Sequence, residues 1–257
     1  MAKKQTKKEQ QKVERATQVA RRVAMMLFAA CILGAAYWHT HSWIMDPATL
    51  PVKVVRIDGE IKYLQKEVLQ AAVADRVTGG FFNIDLQAIM VAAQKVAWVD
   101  EVSVQRLWPD TVVMTIRERK AYARWGSKQL VTANGEVFTP TGDVPVGLPL
   151  LDGPVDRAGE LVNRLHLEQQ RFSSLDLVVD SIKINRRGSW KAVFGDGLEV
   201  AIGRHDVEKR LERLAESYQQ IIRQGQPEYI DLRYQHGIAV AWKRIEPVKT
   251  EDKKGAV

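Results

Sequence analysis

The sequence predicts an α+β protein with a single N-terminal transmembrane helix, a β-α-α-β-β module, and a mixed β-rich domain with flanking helices. Three patterns predict this class: an uncharged apolar stretch, two helical periodicities between alternating strand patterns, and then many short strand patterns separated by turns. The predicted boundaries, in chain order, are a basic tail at 1–22, the helix at 23–45, a short extended linker at 46–51, domains at 52–120 and 121–245, and a disordered tail at 246–257.

The apolar stretch, predicted to begin at Val23 and to end at Met45, is long enough to cross a bilayer. At roughly 1.5 Å per helical residue it covers about 34 Å, against about 30 Å for a hydrocarbon core. Tyr37, Trp38 and Trp43 lie near its end, where aromatic rings favour the headgroup layer. The preceding 22 residues contain eight Lys and Arg but only two Glu, which predicts a cytoplasmic tail and a periplasmic bulk.

Three kinds of targeting signal offer alternatives to an uncleaved anchor. A cleavable signal peptide also has a basic start and an apolar run, but the small residues at 34–36 are followed by apolar Tyr37 and Trp38. Cys31 faintly resembles a lipoprotein site, and the arginine pair at 21–22 a twin-arginine signal. We interpret Cys31 as a helix residue and the arginines as a basic flank, and favour the uncleaved anchor.

Charge and cysteine content narrow the function further. The net charge is +7, but after residue 22 the chain has 30 basic against 29 acidic residues, so a nucleic-acid role has little support. The one cysteine, Cys31, lies in the apolar stretch, so the translocated region has no disulfide and no thiol chemistry. About 210 residues suffice for one or two modest cores.

Signatures of catalysis are missing from the sequence. It has no Gly-x-Ser-x-Gly, Ser-x-x-Lys or His-Glu-x-x-His pattern, and its five histidines are scattered. The neighbouring carboxylates Asp100 and Glu101 point to opposite faces of a strand, and the Gly-Asp-Gly at 195–197 predicts a hairpin turn. We therefore expect no enzyme activity, metal, cofactor or small-molecule substrate; an unrecognised cell-wall hydrolase is the enzyme-class alternative.

The first domain begins with a strand at 52–57 and a helix that ends at 78–80. Asn83 is predicted to cap a second helix whose inward residues are Leu86, Ile89, Met90 and Ala93. Two alternating strands follow around a Trp108-Pro109-Asp110 turn, and the residues predicted to fill the core there are Val104, Met114 and Ile116.

This element order resembles the POTRA module, a small docking domain. The stretch at 102–119 reads VSVQRLWPDTVVMTIRER and leads to Ala121, Ala123 and Trp125. This Arg-x-Trp-Pro turn, closing on Glu-Arg and followed by an Ala-x-x-x-Trp strand, is similar to the FtsQ/DivIB family of bacterial cell-division proteins.

The second domain continues the resemblance. Asn134-Gly135 predicts a hairpin, and Asp156 opens a helix. Further strands are predicted at 178–185, 190–194 and 198–202, a helix after Gly-Arg at 203–204, and final strands at 229–234 and 237–242. The proline-rich 148–154, the Gly-Arg pair and the Asp-Leu-Arg-Tyr…Gly…Ala-Val-x-Trp ending match the family.

The ending also suggests a binding surface. A terminal strand at a sheet edge could pair with an extended partner, and Arg233, Tyr234 and Trp242 are residue types that concentrate binding energy. From the pattern alone, the alternative that Tyr234 and Trp242 are core residues and Arg233 a solvated charge is favoured. The resemblance instead implies that Arg233, Tyr234, Gly237 and Trp242 bind FtsB, which acts with FtsL.

The resemblance further implies that a basic turn at 186–190 adds Arg186 or Arg187 as a charge contact; which arginine makes it stays open, as does the role of His236. The implied protein is a single-pass, type II protein of the inner membrane that acts as an essential-type divisome scaffold at the septum. Other divisome proteins would bind the POTRA-like module and the helix. The alternative is a POTRA-type docking or chaperone accessory of a transport or outer-membrane assembly system.

Overall fold

The computed structural model describes residues 2–46 and 48–243, so the predicted disordered tail lies outside the described residues. Its helices are α1 (Ala2–Met45), α2 (Lys66–Val73), α3 (Leu86–Gln94), α4 (Ala158–Ser173) and α5 (Val207–Gln224). Its strands are β1 (Val54–Asp58), β2 (Val99–Leu107), β3 (Thr111–Glu118), β4 (Ala121–Trp125), β5 (Gln129–Thr132), β6 (Val137–Phe138), β7 (Leu150–Asp152), β8 (Val179–Ile184), β9 (Trp190–Phe194), β10 (Leu198–Gly203), β11 (Pro227–Asp231) and β12 (Ala239–Trp242). The predicted α+β class is confirmed.

The first helix does not begin at Val23, where the apolar stretch predicted its start. Helix α1 begins at Ala2, and Val23 lies within it; the predicted end at Met45 agrees with the structure. The reason is that the Lys, Glu, Gln and Ala residues ahead of Val23 are good helix formers, so the backbone stays helical where the apolar character ends. The apolar composition that begins at Val23 therefore starts inside a longer helix and does not coincide with the start of that helix.

The part of α1 that could cross a membrane also starts slightly before Val23. Among the described residues, Arg21–Met45 is the one helical segment long and apolar enough to do so. Val23 is 49% exposed, and the larger apolar side chains Phe28 and Leu33 are 68% and 71% exposed. A helix that exposes such side chains all round is suited to lipid rather than to water.

The described chain forms two compact units. The first contains α1, β1, α2, α3 and most of β2 and β3; the second contains β4–β12, α4, α5 and two short earlier segments, Ile61–Gln65 and Ala97–Asp100. In the first unit a three-stranded sheet has the order β1-β3-β2, with β1 parallel to β3. The β-α-α-β-β order predicted from the periodicities is thus confirmed.

The core of the first unit follows the predicted alternation with one change. Met114 and Ile116 are buried, and Ile89 and Ala93 face inward from α3. Val104 is only half-buried, while Val102 is 8% exposed. The core therefore includes the start of β2 and loses contact with the strand towards the turn.

Two local expectations were wrong because side chains form hydrogen bonds that the sequence pattern did not indicate. Asp85, not Asn83, caps α3, since its Oδ1 accepts a hydrogen bond from the Ala88 amide at 3.0 Å. The side-chain Nδ2 of Asn83 instead donates to the Met45 carbonyl at the end of α1. The linker is not extended over 48–49: the side chain and the carbonyl of Asp46 accept from the Ala48 and Thr49 amides, which closes a turn.

The second unit is built on a nine-stranded mixed sheet. Its order is β12-β11-β10-β9-β8-β7-β4-β5-β6. The predicted Asn-Gly hairpin is confirmed between β5 and β6, with Gly135 at φ +82°. Helices α4 and α5 bury apolar stripes in one core with the strands, including Leu161, Leu165, Phe172, Leu211 and Leu214, all 0% exposed.

The short segments at 61–65 and 97–100 are held within the second unit by contacts that local sequence does not show. Glu118 accepts hydrogen bonds from three consecutive amides, those of Lys62, Tyr63 and Leu64, at 2.8, 2.6 and 2.5 Å. The indole of Trp98, 0% exposed, stacks on Tyr63 and meets Phe138 edge-on. These contacts join residues that are far apart in sequence.

We predict that Ile116→Ala destabilises the first unit by roughly 2–4 kcal/mol, because a side chain that is 3% exposed leaves a cavity when truncated. Urea unfolding of residues 46–257 measures this change. The neighbouring Thr115→Ala, on the exposed face of β3, is the control and should change stability by no more than about 0.5 kcal/mol. Equal, small effects at both positions would mean that β3 is not packed as described.

Candidate partner-binding surface

Strand β12 is the terminal strand of the nine-stranded sheet. It pairs antiparallel with β11, with Ile230 opposite Val240 and Asp231 opposite Ala239. No further strand pairs with its other side within the described part of the chain. Ala239 and Ala241 are exposed, so small side chains leave the outer face of this edge open. An edge of this kind presents backbone amide and carbonyl groups to an added strand.

The loop between β11 and β12 lies at the same end of the sheet as the predicted basic turn. Strand β11 runs parallel to β10, and β10 runs antiparallel to β9, with Gly203 opposite Trp190. The end of β11, the end of β10 and the turn between β8 and β9 therefore share one end of the sheet. Strands lie about 4.8 Å apart, so two strand spacings, about 10 Å, separate β11 from β9.

The predicted strand at 229–234 ends early, at Asp231, so Arg233 and Tyr234 lie in the β11–β12 loop (residues 232–238). Arg233 folds back on Asp231: its Nε and Nη2 donate to the carboxylate at 2.9 and 2.6 Å. These hydrogen bonds from Arg233 lower the pKa of Asp231, so the carboxylate stays ionised at neutral pH. Arg233 is therefore paired with Asp231 in the absence of any binding partner.

Two arginines of α5 hold the β11–β12 loop by its carbonyl groups. Arg213 donates to the carbonyl oxygens of Leu232, Tyr234 and Gln235 at 3.1, 3.1 and 2.9 Å. Arg210 donates to the carbonyl oxygens of Ile202 and Arg233 at 2.6 and 3.2 Å. Backbone carbonyls that leave the sheet thus gain charged donors, which are the stronger class of hydrogen bond.

Helix α5 is itself fixed by an ionic cluster with α4. Glu168, 2% exposed, accepts from Arg164 and Arg171 at 3.0 Å each. The same two arginines donate to Glu208 in the first turn of α5. Burial raises the pKa of Glu168 against the effect of its arginines, whereas the hydrogen bond from Arg164 lowers the pKa of the exposed Glu208. The cluster positions the start of the helix that carries Arg210 and Arg213.

Tyr234 and Gly237 are placed by this loop without being needed to build it. The Tyr234 side chain is 59% exposed, although its carbonyl is held by Arg213. Nothing lies within 4 Å of the position that a Cβ at Gly237 would occupy. The exposed ring and the open space beside Gly237 are therefore both available to a second molecule.

Trp242 lies at the other end of β12 and is more enclosed. It is 37% exposed, and its Cε3 lies 3.2 Å from the position that a Cβ at Gly225 would occupy. Its ring therefore covers the end of α5, while the uncovered part continues the surface of the edge strand. The alternative that both aromatics are core residues fails for Tyr234 and describes Trp242 only in part.

The basic turn between β8 and β9 is stiffened by Asn185. Its Oδ1 accepts from the amides of Arg187 and Ser189 at 2.9 and 3.0 Å, and Gly188 has φ +79°. Arg186 and Arg187 are both exposed. A cleft of about 800 Å³ beside the turn is lined by Arg186 together with Lys183, Lys191 and Asp152, which gives it a positive balance.

The structure brings Arg233, Tyr234 and Gly237 together on one loop and places Arg186 and Arg187 on a turn at the same end of the sheet; Trp242 is separate. His236 is exposed on the same loop. Sequence reasoning missed Arg210, Arg213 and Asp231. Arginines three residues apart beside the apolar stripe of α5 were the available signal, but their acceptors lie in another element. Among the described residues, no group of three or more His, Cys, Asp and Glu could hold a metal ion.

The chain is similar to cell division proteins named FtsQ. Residues 123–233 match the family described as cell division protein FtsQ/DivIB, C-terminal, and residues 50–119 match the POTRA domain, FtsQ-type. The cell division protein FtsQ of Allochromatium vinosum is 34% identical over 212 residues, which cover 82% of this chain and 85% of that protein. The FtsQ of Nitrosospira multiformis is 31% identical over 234 residues, or 88% and 98% of the two chains.

We predict that Arg213→Met loosens the β11–β12 loop, because it removes three donations to carbonyls and keeps an apolar stem on α5. Chymotryptic cleavage after Tyr234 in the folded protein should accelerate about tenfold, as expected if about 1.4 kcal/mol of hydrogen bonding is lost. Arg223→Met, in the exposed last turn of the same helix, should leave the rate unchanged. An equal rate in the two variants would show that Arg213 does not hold the loop.

Proposed function

Because the chain belongs to the FtsQ family of cell-division proteins, we propose that it acts in division as a non-catalytic scaffold that binds FtsB, and with it FtsL, at β12. The observation that carries this proposal is the open edge of β12 next to an exposed Tyr234. A partner segment that adds a strand gains backbone hydrogen bonds along the edge and contacts side chains at its ends.

The two ends of β12 supply different contacts. At its start, the β11–β12 loop offers the Tyr234 ring and the open space beside Gly237. At its end, Trp242 offers the exposed part of its ring. Tyrosine and tryptophan bury a large area with few rotatable bonds, so they concentrate binding energy in a short segment. The loop is already held by Arg213, so little ordering remains to oppose binding.

The basic turn adds charge to this surface. We propose that Arg186, rather than Arg187, contacts an acidic part of the partner, because Arg186 lines the 800 Å³ cleft with Lys183 and Lys191. Arg233 contributes less charge than its sequence suggests, since it is paired with Asp231. Exposed charges of this type mainly raise association rates and respond to salt.

The proposed setting is the bacterial inner membrane at the division septum. The Arg21–Met45 segment would span the membrane once, and the Lys- and Arg-rich tail would stay in the cytoplasm. The part of the first unit that follows α1 and the whole second unit would lie in the periplasm. The POTRA-like module and α1 would contact further divisome proteins. In this arrangement the protein would link upstream and downstream divisome proteins without performing chemistry.

We predict that Tyr234→Ala weakens FtsB binding by about 2 kcal/mol or more, about thirtyfold in Kd, without lowering the melting temperature, because the ring is 59% exposed. Trp242→Ala should weaken binding similarly and also cost some stability, since its ring packs over Gly225. Titration calorimetry and thermal unfolding of residues 46–257 measure the two effects.

Trp108→Ala is the matched control for these aromatic truncations. Trp108 is 75% exposed in the first unit, so its removal should change neither FtsB affinity nor the melting temperature. If Tyr234→Ala and Trp242→Ala both fold and keep full affinity, the partner does not bind at β12.

We predict that Gly237→Ala leaves the free energy of unfolding unchanged or slightly raised, because the added methyl enters open space. If a partner backbone passes close to this position, FtsB affinity should fall about tenfold or more, as expected for an overpacked contact. Unchanged affinity would show that the partner does not approach Gly237.

The proposed topology makes a separate prediction. A reporter active only in the periplasm should work when fused after Val257 and fail when fused ahead of Val23, because the basic tail is retained inside. N-terminal sequencing should find no processing. A mature chain that begins near Tyr37 would contradict the uncleaved anchor.

A further inference from the structure

The turn between β2 and β3 lies at the end of the three-stranded sheet where the connection from α1 enters. Strand β1 starts at that end, because Val54 is paired with Thr111, the first residue of β3. The Lys53 amide donates to the Asp110 carbonyl of the turn at 2.9 Å. The connection from α1 to β1 contains only residues 46–53, so the turn is close along the chain to the end of the helix.

A second loop, at 80–84, is fastened at the same place. The Phe81 amide donates to the Leu50 carbonyl at 2.7 Å, and the Asn83 side chain donates to the Met45 carbonyl, the last residue of α1. Arg106 of β2 joins this loop to the turn, since its Nε donates to the Phe81 carbonyl at 2.8 Å. The loop, the turn and the end of α1 thus form one hydrogen-bonded assembly.

This assembly exposes three large apolar side chains. Trp108 at the turn is 75% exposed, Leu107 beside it is 47% exposed, and Phe82 in the loop is 42% exposed. None is needed to fill the core of the first unit. Leaving such surface in water is unfavourable at roughly 25 cal/mol per Å². Trp43, near the end of α1, is also 60% exposed.

We propose that Leu107, Trp108 and Phe82 insert into the headgroup layer of the membrane that α1 spans, as a second attachment of the first unit to the bilayer. The proposal rests on the proposed membrane span of α1. A lipid surface is the occupant because the loop that carries Phe82 is hydrogen-bonded, through Asn83, to the last residue of the spanning helix. Tryptophan and phenylalanine are also residue types suited to the interface between headgroups and acyl chains.

Insertion at this turn would fix the orientation of the first unit. A single helix and eight connecting residues would by themselves allow a domain to tilt relative to the membrane plane. A second contact removes that freedom, because the turn and Phe82 can enter the bilayer only in one orientation. The opposite end of β1, at Asp58, then lies about 16 Å farther from the membrane than its start, since this is the length of a five-residue strand.

The test measures lipid contact of an environment-sensitive fluorophore on the purified full-length chain in nanodiscs. The native Cys31 is labelled in one sample; Trp108→Cys, Phe82→Cys and Glu60→Cys, each with Cys31→Ser, are labelled in the others. Glu60 is the matched control, exposed and just beyond the far end of β1. Quenching is compared between lipids that carry a nitroxide in the headgroup and lipids that carry one in mid-chain.

We expect mid-chain nitroxide to quench the label at Cys31 and headgroup nitroxide to quench labels at 108 and 82 about twofold or more above the label at 60. If Cys31 is quenched but labels at 108 and 82 match the control, the insertion proposal is wrong and the membrane span stands. If Cys31 is not quenched, the span fails and the proposal fails with it. Because the purified sample contains no partner protein, shielding by a partner cannot produce the expected result.

Discussion

Hydrogen bonds from α5 arginines to backbone carbonyls determine the shape of the candidate binding surface. Arg210 and Arg213 donate to five carbonyl oxygens, one near the end of β10 and four in the β11–β12 loop, at 2.6–3.2 Å. The chain can therefore leave the sheet at Asp231, turn, and return as β12 without leaving those groups unpaired. The position of the arginines depends in turn on α5. This helix is fixed by its apolar stripe and by the ionic cluster with α4, in which Arg164 donates to both Glu168 and Glu208.

This arrangement separates stability from binding. The groups that build the surface, Arg213 and Asp231, are intermediate or buried, whereas Tyr234 and the outer face of β12 are open. A surface that is stiff before it meets its partner gives up little conformational entropy on binding. Arg233 belongs to the groups that build the surface, because its guanidinium pairs with Asp231 and its backbone carbonyl accepts from Arg210.

The sequence predicts most elements because their signals are local. The Asn-Gly hairpin, the end of α1 and the apolar periodicities of α4 and α5 all appear at the expected positions. It fails where a distant group decides a local choice. The last strands are shorter than predicted because arginines of α5 bind carbonyls that a ladder would otherwise use, and α3 starts late because Asn83 bonds to the end of α1. Neither acceptor lies near its donor in sequence.

The central claim is that a partner adds a strand to β12. Hydrogen–deuterium exchange of residues 46–257, with and without the periplasmic part of FtsB, tests it most directly. The account predicts that those amides at 239–242 that point away from β11 exchange readily in the free protein, because they lie at an open edge, and become strongly protected in the complex. Tight FtsB binding that protects other residues but leaves 239–242 unchanged would contradict the account.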